Sequence, residues 1–188
     1  MGISLKISEA TEKLQDRLQC LQYLATHTVE VGLTSTASER SRALLAIHEH
    51  GAPAMHIPAR PVVKPALAQA SIRAEMADDM RRACEAANDG DLPGVTSAME
   101  DAGKTGVDGI HAYIDQGIPP PNAPITLEGG WMRNPVSGKP VKVKGKSGTT
   151  TLIDTGQLYN DFDYEIAVNS ATDTHALTDL RRSEKTSS

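Results

Sequence analysis

The chain has 188 residues with 39% hydrophobic side chains, 19 basic and 24 acidic groups, and a net charge of −5. That suffices for the core of one ordinary domain, and the acidic balance disfavours a protein that lives on phosphate contacts. With one Phe, one Trp and four Tyr, the core has to be built from Leu, Ile, Val, Met and Ala, which suits packed helices better than a large β-sandwich.

In chain order, Leu14, Leu18, Leu21 and Leu24 recur at spacings of four, three and three. They predict one stripe of an amphipathic helix, with Ser8 as its N-cap. Val29, Val31 and Leu33 then alternate with polar residues and Gly32 as a half-buried strand over 27–33. A loop over 34–38 leads to Ser38, the expected cap of a second helix. That helix carries Leu44, Leu45 and Ile47 and ends at Gly51. Pro53, Pro58, Pro61 and Pro65 predict a stiff, extended arm over 52–64, because proline lacks an amide donor and biases its predecessor toward extended backbone.

A long helix is expected from Pro65 to Ala87, closed by Asn88, Asp89 and Gly90. Asp91 caps another, with Val95, Ala98, Met99, Ala102, Ile110 and Ile114 on one side. Gly103, Gly106 and Gly109 each weaken it by about 1 kcal/mol relative to Ala, which implies either close packing or a break. Gly117 ends it, and Pro119, Pro120 and Pro121 prevent continuation.

Residues 118–151 read as a loop or hairpin insertion. Within it, 131–133 and 141–143 can pair across a turn that holds Pro135 and Gly138. Asp154 is the expected N-cap of a short helix through Tyr159, and Tyr164, Ile166 and Val168 form a last strand. The pattern predicts a single α+β domain over 1–170: amphipathic helices on a small antiparallel sheet, with a Pro-rich arm and a long loop or hairpin. Residues 171–188 read as a polar, disordered tail.

Cys20 and Cys84 have no metal-like spacing and read as buried free thiols. No apolar run reaches the roughly 18 residues that span a bilayer, and the first twelve residues lack a signal-peptide core. A reducing cytoplasm, or a particle assembled there, is the expected setting.

Chemistry-bearing patterns are few. Gly145-Lys146-Ser147 ends like a phosphate-binding loop, but Pro140 stands where the first glycine is required and no helix follows. His48, His50 and His56 suggest a small metal-binding or hydrolytic enzyme. On a helix, however, residues two apart point roughly 200° away from each other, and histidines near a helix C-terminus complement its dipole. No Gly-x-Ser-x-Gly elbow is present, and the pairs Asp78-Asp79 and Glu100-Asp101 read as solvated faces. Lys139, Lys142, Lys144 and Lys146 could touch DNA in a regulatory protein. Without interleaved aromatics they read more simply as a solvated hairpin.

Three segments carry a resemblance. The first runs Ile47-His48-Glu49-His50-Gly51, followed by Ile57-Pro58-Ala59-Arg60-Pro61-Val62-Val63-Lys64-Pro65-Ala66-Leu67. The second is Gly117-Ile118-Pro119-Pro120-Pro121-Asn122-Ala123-Pro124, and the third Leu152-Ile153-Asp154-Thr155-Gly156-Gln157-Leu158. In order and approximate spacing, over roughly 28–168, they resemble the neck and tail-completion (head–tail joining) proteins of tailed bacteriophages. His50 stands where that family has an aromatic, and Val62-Val63-Lys64 where it has Phe-aliphatic-Arg.

The resemblance implies a non-catalytic virion subunit without cofactor, assembled as a homo-oligomeric ring. Its partners would be portal or head-closure proteins on one side and tail-terminator or tail-tube proteins on the other. DNA would meet it only by passing through the lumen, and no membrane is involved. Ring closure needs two different complementary faces. The expected interface residues are Arg60, Pro61, Val62, Val63 and Lys64 in the arm, with Trp131, Lys142 and Lys144 in the insertion. His48, Glu49, Gly51, Asp154, Thr155 and Gly156 are expected to hold the motifs in shape. Arg60 has two readings, a fork for a neighbour's carboxylate or a tether within its own chain.

Overall fold

The computed structural model describes residues 2–55, 57–134, 137–145 and 156–169. Among them the fold is α+β. The helices are α1 (Gly2–Thr26), α2 (Glu39–His50), α3 (Val63–Leu67), α4 (Ala70–Asp89), α5 (Leu92–Asp115), α6 (Pro124–Glu128) and α7 (Gln157–Asn160). The strands are β1 (His27–Leu33), β2 (Gly130–Arg133), β3 (Pro140–Val143) and β4 (Phe162–Val168), and a 3-10 turn spans Pro53–Met55.

The first and last strands pair antiparallel, from His27 opposite Val168 to Leu33 opposite Phe162. The register places Val29, Val31 and Leu33 beside Ile166, Tyr164 and Phe162 on one face, which packs on α5. The second pair is the hairpin β2–β3, with Trp131 opposite Lys142 and Met132 opposite Val141.

Capping follows the sequence closely. The Ser38 side chain accepts from the Ser41 amide at the start of α2, and Asp91 accepts from Gly94 at the start of α5. Gly90 closes α4 in the left-handed region, where glycine carries no Cβ penalty.

Helix α5 is unbroken across its glycines, which settles their role as close packing. A Cβ at Gly103 would lie 2.3 Å from the Tyr164 ring, one at Gly106 2.9 Å from Val31, and one at Gly109 2.9 Å from Ile72. The glycines thus seat β4, β1 and α4 against one helix. Small residues do the same between α4 and α5, where Ala83, Ala87, Ala98 and Ala102 are all buried.

Several expectations are corrected. Helix α1 begins at Gly2, so Ser8 lies inside it. It packs through Cys20, Tyr23 and Leu24, while Leu14, Leu18 and Leu21 stay exposed. The helix expected from Pro65 is two, because the chain leaves helical geometry at Gln69, which is extended (φ −61°, ψ 134°). Cys84 is exposed, whereas Cys20 is buried, its thiol pushed up by desolvation and by nearby Asp16. Asp79 is buried rather than solvated, held by Arg82 at 2.6 Å and by the Thr105 hydroxyl at 3.0 Å. Residues 170–188 and 146–155 lie outside the described residues.

Replacing Gly103 with Ala sets two effects against each other. Helix propensity improves by about 1 kcal/mol, but overpacking against the Tyr164 ring costs about 1–3 kcal/mol. The expected result is a lower urea midpoint with unchanged slope; a midpoint at or above wild type would mean that the ring moves aside freely.

Candidate functional site

Residues of the first two motifs meet in one knot at the C-terminal end of α2, while of the third the described Leu158 joins the buried cluster beneath them and Gln157 bonds Ser38 at the other end of α2. Gly51 turns the chain (φ 71°) and donates its amide to the Ile47 carbonyl at 2.7 Å. The chain then folds back over itself, with Ala52 and Ile57 exchanging backbone hydrogen bonds at 2.9 and 3.1 Å. A Cβ at Gly51 would fall 2.8 Å from the Ala59 amide nitrogen, so the return strand fits only over glycine. The Arg60 amide donates to the His48 carbonyl at 2.6 Å, occupying one acceptor that the helix end leaves open.

Glu49 serves the next element. Its Oε1 accepts from the amides of Val62 and Val63 at 2.8 and 3.1 Å, the entry to α3. A carboxylate there satisfies orphan donors and complements the positive helix end. Val62 and Ala66 then enter a cluster with Ile110, Ile114, Ile118, Leu158 and Phe162.

The Arg60 guanidinium reaches the second motif. Nε donates to the Pro120 carbonyl at 2.8 Å, and Nη2 to the Pro121 carbonyl at 3.1 Å. A proline run has no amide donors and makes no internal hydrogen bonds, so its carbonyls need donors from elsewhere. The planar guanidinium fork supplies two at once.

The third motif arrives through α7, which Gly156 caps with a left-handed backbone (φ 78°). Gln157 Nε2 donates to Ser38 Oγ at 3.1 Å, and Ser38 Oγ donates to Asp161 Oδ2 at 3.1 Å. Hydrogen bonds from Ser41 and Ser38 hold the Asp161 carboxyl below its ordinary value, against the opposing effect of desolvation. Tyr159 stacks on His111 with centroids 4.0 Å apart, and its hydroxyl donates to Asp115 at 3.1 Å. Desolvation, followed by that bond, pushes the phenol up.

The expected interface therefore divides. Arg60 and Val62 are buried, 7% and 0% exposed, with their contacts made inside the chain. This corrects their expected place in the interface: Val62 belongs to the core, and Arg60 is a tether within its own chain. Pro61 and Lys64 are exposed. Val63 and Lys64 line an open groove of about 590 Å³ with Leu45, Glu49, Leu67, Ala68 and Arg73. Trp131, Lys142 and Lys144 are exposed on or beside the hairpin, which packs on itself and on α6.

Asp154, Thr155 and His56 lie outside the described residues. His48 is half-buried and His50 exposed near the end of α2. Among the described residues no three His, Cys, Asp or Glu side chains converge as a metal site, and no helix is long and apolar enough to cross a membrane.

Sequence reasoning missed the exposed leucines. A signal existed, since Cys20, Tyr23 and Leu24 give α1 a second apolar side and one helix cannot turn both toward a single neighbour. It also missed Pro120 and Pro121 as acceptors, a contact between positions sixty residues apart.

Set against protein-family models, curated proteins and solved structures, the chain has no match.

Two outcomes are expected. Arg60→Ala removes two charge-assisted hydrogen bonds made by a buried side chain, at a cost of about 2 kcal/mol, while exposed Lys64→Ala stays within about 0.5 kcal/mol. Urea denaturation checks both, and an Arg60→Ala midpoint equal to wild type would remove the tether from the argument. For Asp161 the folded-state value is lowered, so its stabilisation is full above the unfolded value of about 3.9 and is lost as pH falls through the folded value. The cost of Asp161→Asn, read from urea midpoints, should thus be present at pH 7 and shrink in strong acid; a pH-independent cost would contradict this.

Proposed function

We propose that this chain is a non-catalytic structural subunit of the neck of a tailed-bacteriophage virion. It joins or completes head and tail as part of a ring, through protein–protein contacts with its own copies, with portal or head-closure proteins, and with tail-terminator or tail-tube proteins. DNA passes through the lumen of such a ring without being read.

One observation supports this above the others. Described residues of all three segments, far apart in sequence, are linked: Glu49 holds the arm, Arg60 of the arm holds the proline turn, and Leu158 of the third segment shares a buried cluster with Val62 and Ile118. Residues linked in this way can be retained together as a set, which gives three short motifs in a common order a joint physical cause. The family's ring function comes with that resemblance and not from fold alone.

The knot also suits a scaffold. A stiff, internally tethered arm loses little entropy on docking and presents Pro61 and Lys64 on a rigid base. Light scattering on the native protein, alone and mixed with portal-bearing heads and with tails, tests the reading. The expected result is a closed multimer, or a monomer that multimerises on one of those particles. A chain that stays monomeric and binds neither particle would refute the neck role.

A further inference from the structure

We propose that the hairpin β2–β3 binds the phosphate backbone of double-stranded DNA, whatever its sequence, through the face that carries Trp131. The inference stands on the hairpin itself. It takes from the neck reading only the place where the duplex is met, the lumen.

In sequence the turn separates the single tryptophan from the lysines, and the register removes that separation. Trp131 lies opposite Lys142, and Arg133 opposite Pro140. Paired residues, and residues two apart on one strand, share a face of a ribbon. Trp131, Arg133 and Lys142 therefore fall on one face, and Met132, Val141 and Val143 on the other. A Cβ at Gly130, the partner of Val143, would lie 3.1 Å from Ile125 of α6. The apolar face is thus the one toward α6, and the cationic face is turned away from it. Lys144 extends the cationic face one step past β3. The two backbones still run close there, since a Cβ at Gly129 would fall 2.5 Å from the Gly145 amide nitrogen.

Charge selects the partner. Residues 130–146 hold five basic and no acidic side chains, against 14 basic and 24 acidic in the rest of the chain. Elsewhere cations are answered within the chain: Arg81, Arg82 and Lys104 by carboxylates, and Arg17, Arg42 and Arg60 by carbonyls. Arg133, Lys139, Lys142 and Lys144 are exposed, and among the described residues no group pairs with any of their side chains. Four unanswered cations on one small ribbon concentrate a positive field on an otherwise acidic protein.

The kind of cation and its spacing favour DNA over an acidic protein surface. Three of the four are lysines, which are depleted in protein–protein interfaces but meet phosphate well as point charges. From the level of Arg133, beside Pro140, to Lys144 the chain runs four residues, about 13 Å. Along a duplex that length holds about four phosphates of one strand, at 3.4 Å of axis each. A two-stranded ribbon also enters a major groove of about 12 Å width. Trp131, 70% exposed, supplies a flat ring among the cations that can rest against the sugars. Contacts to phosphate and sugar carry no sequence information.

The test titrates a labelled duplex of about 20 base pairs with the full chain and follows anisotropy between about 50 and 200 mM salt. Circular dichroism and urea midpoints confirm that each variant folds. For wild type, log K against log salt should fall with a slope of about −3.6, or 0.9 for each of four phosphates. Lys142→Ala and Lys144→Ala should each reduce that slope by about 1, while Lys13→Ala, an exposed cation of α1, leaves it unchanged. Trp131→Ala should weaken binding and keep the slope. In wild type the emission of Trp131 should change as duplex is added and recover as salt is raised.

Absence of binding at the lowest salt, or a slope that neither lysine variant changes, would overturn the proposal and leave a solvated hairpin. So would tighter binding to a single strand of equal length, which would assign Trp131 to base stacking. Displacement of the duplex by polyglutamate at equal charge would overturn it too, and assign the face to an acidic protein. None of these outcomes touches the neck role, which is read from mass on heads and tails.

Discussion

The architecture depends on how closely other elements approach α5. A chain with so few aromatic side chains cannot fill wide gaps between layers, and it brings backbones together instead. Gly103 takes the Tyr164 ring, Gly106 takes Val31 and Gly109 takes Ile72, so both sheet strands and α4 rest on one helix. The same glycines weaken α5 as an isolated helix, and its stability comes from the packing they permit. Local preference and global packing disagree here, and burial decides.

Around that frame, the knot of Glu49, Arg60 and the proline turn solves a problem that prolines create. Each proline stiffens the chain but removes a donor and leaves a carbonyl to be satisfied. The arm and the turn after α5 are both rich in proline, and they are joined by the one side chain with a planar fork of donors. Lysine could not replace it, since a compact ammonium does not span two carbonyls in a fixed plane. Two carbonyl dipoles engage the buried Arg60 guanidinium through Nε and Nη2, which offsets part of the cost of taking it out of water.

The surface divides in a related way. Charge on α4 and α5 is balanced locally, with Arg81 between Asp78 and Glu85, and Lys104 near Glu100 and Asp101. Exposed pairs of this kind contribute little stability, but they keep that side of the molecule wet. The leucines of α1 and the tryptophan of the hairpin have no such cover. These apolar patches are small, and the charged pairs on α4 and α5 keep the surface around those helices hydrated.

The sequence alone determined the elements whose signals are local. Alternation marked β1 and β4, Ser38 and Asp91 marked helix starts, and Gly51 and Gly90 marked ends. In each case the backbone responds to its own neighbours in the chain. The expected extended arm over 52–64 is corrected, since Pro53–Met55 form a 3-10 turn and α3 already begins at Val63. Tertiary structure decided what those elements touch. Three leucines on α1 satisfy the pattern of a buried stripe, yet Cys20, Tyr23 and Leu24 satisfy it too, and only the position of α4 and α5 shows which side is covered. Asp78 and Asp79 are adjacent and chemically alike, but the step of about 100° between them round α4 puts the second against Thr105. Arg60 offered a neighbour's carboxylate or its own chain with equal chemical fitness, and the proline carbonyls sixty residues away settled it. Local rules fix conformation because the interactions are between near neighbours. Burial depends on the arrangement of distant segments, and no short stretch of sequence contains that information.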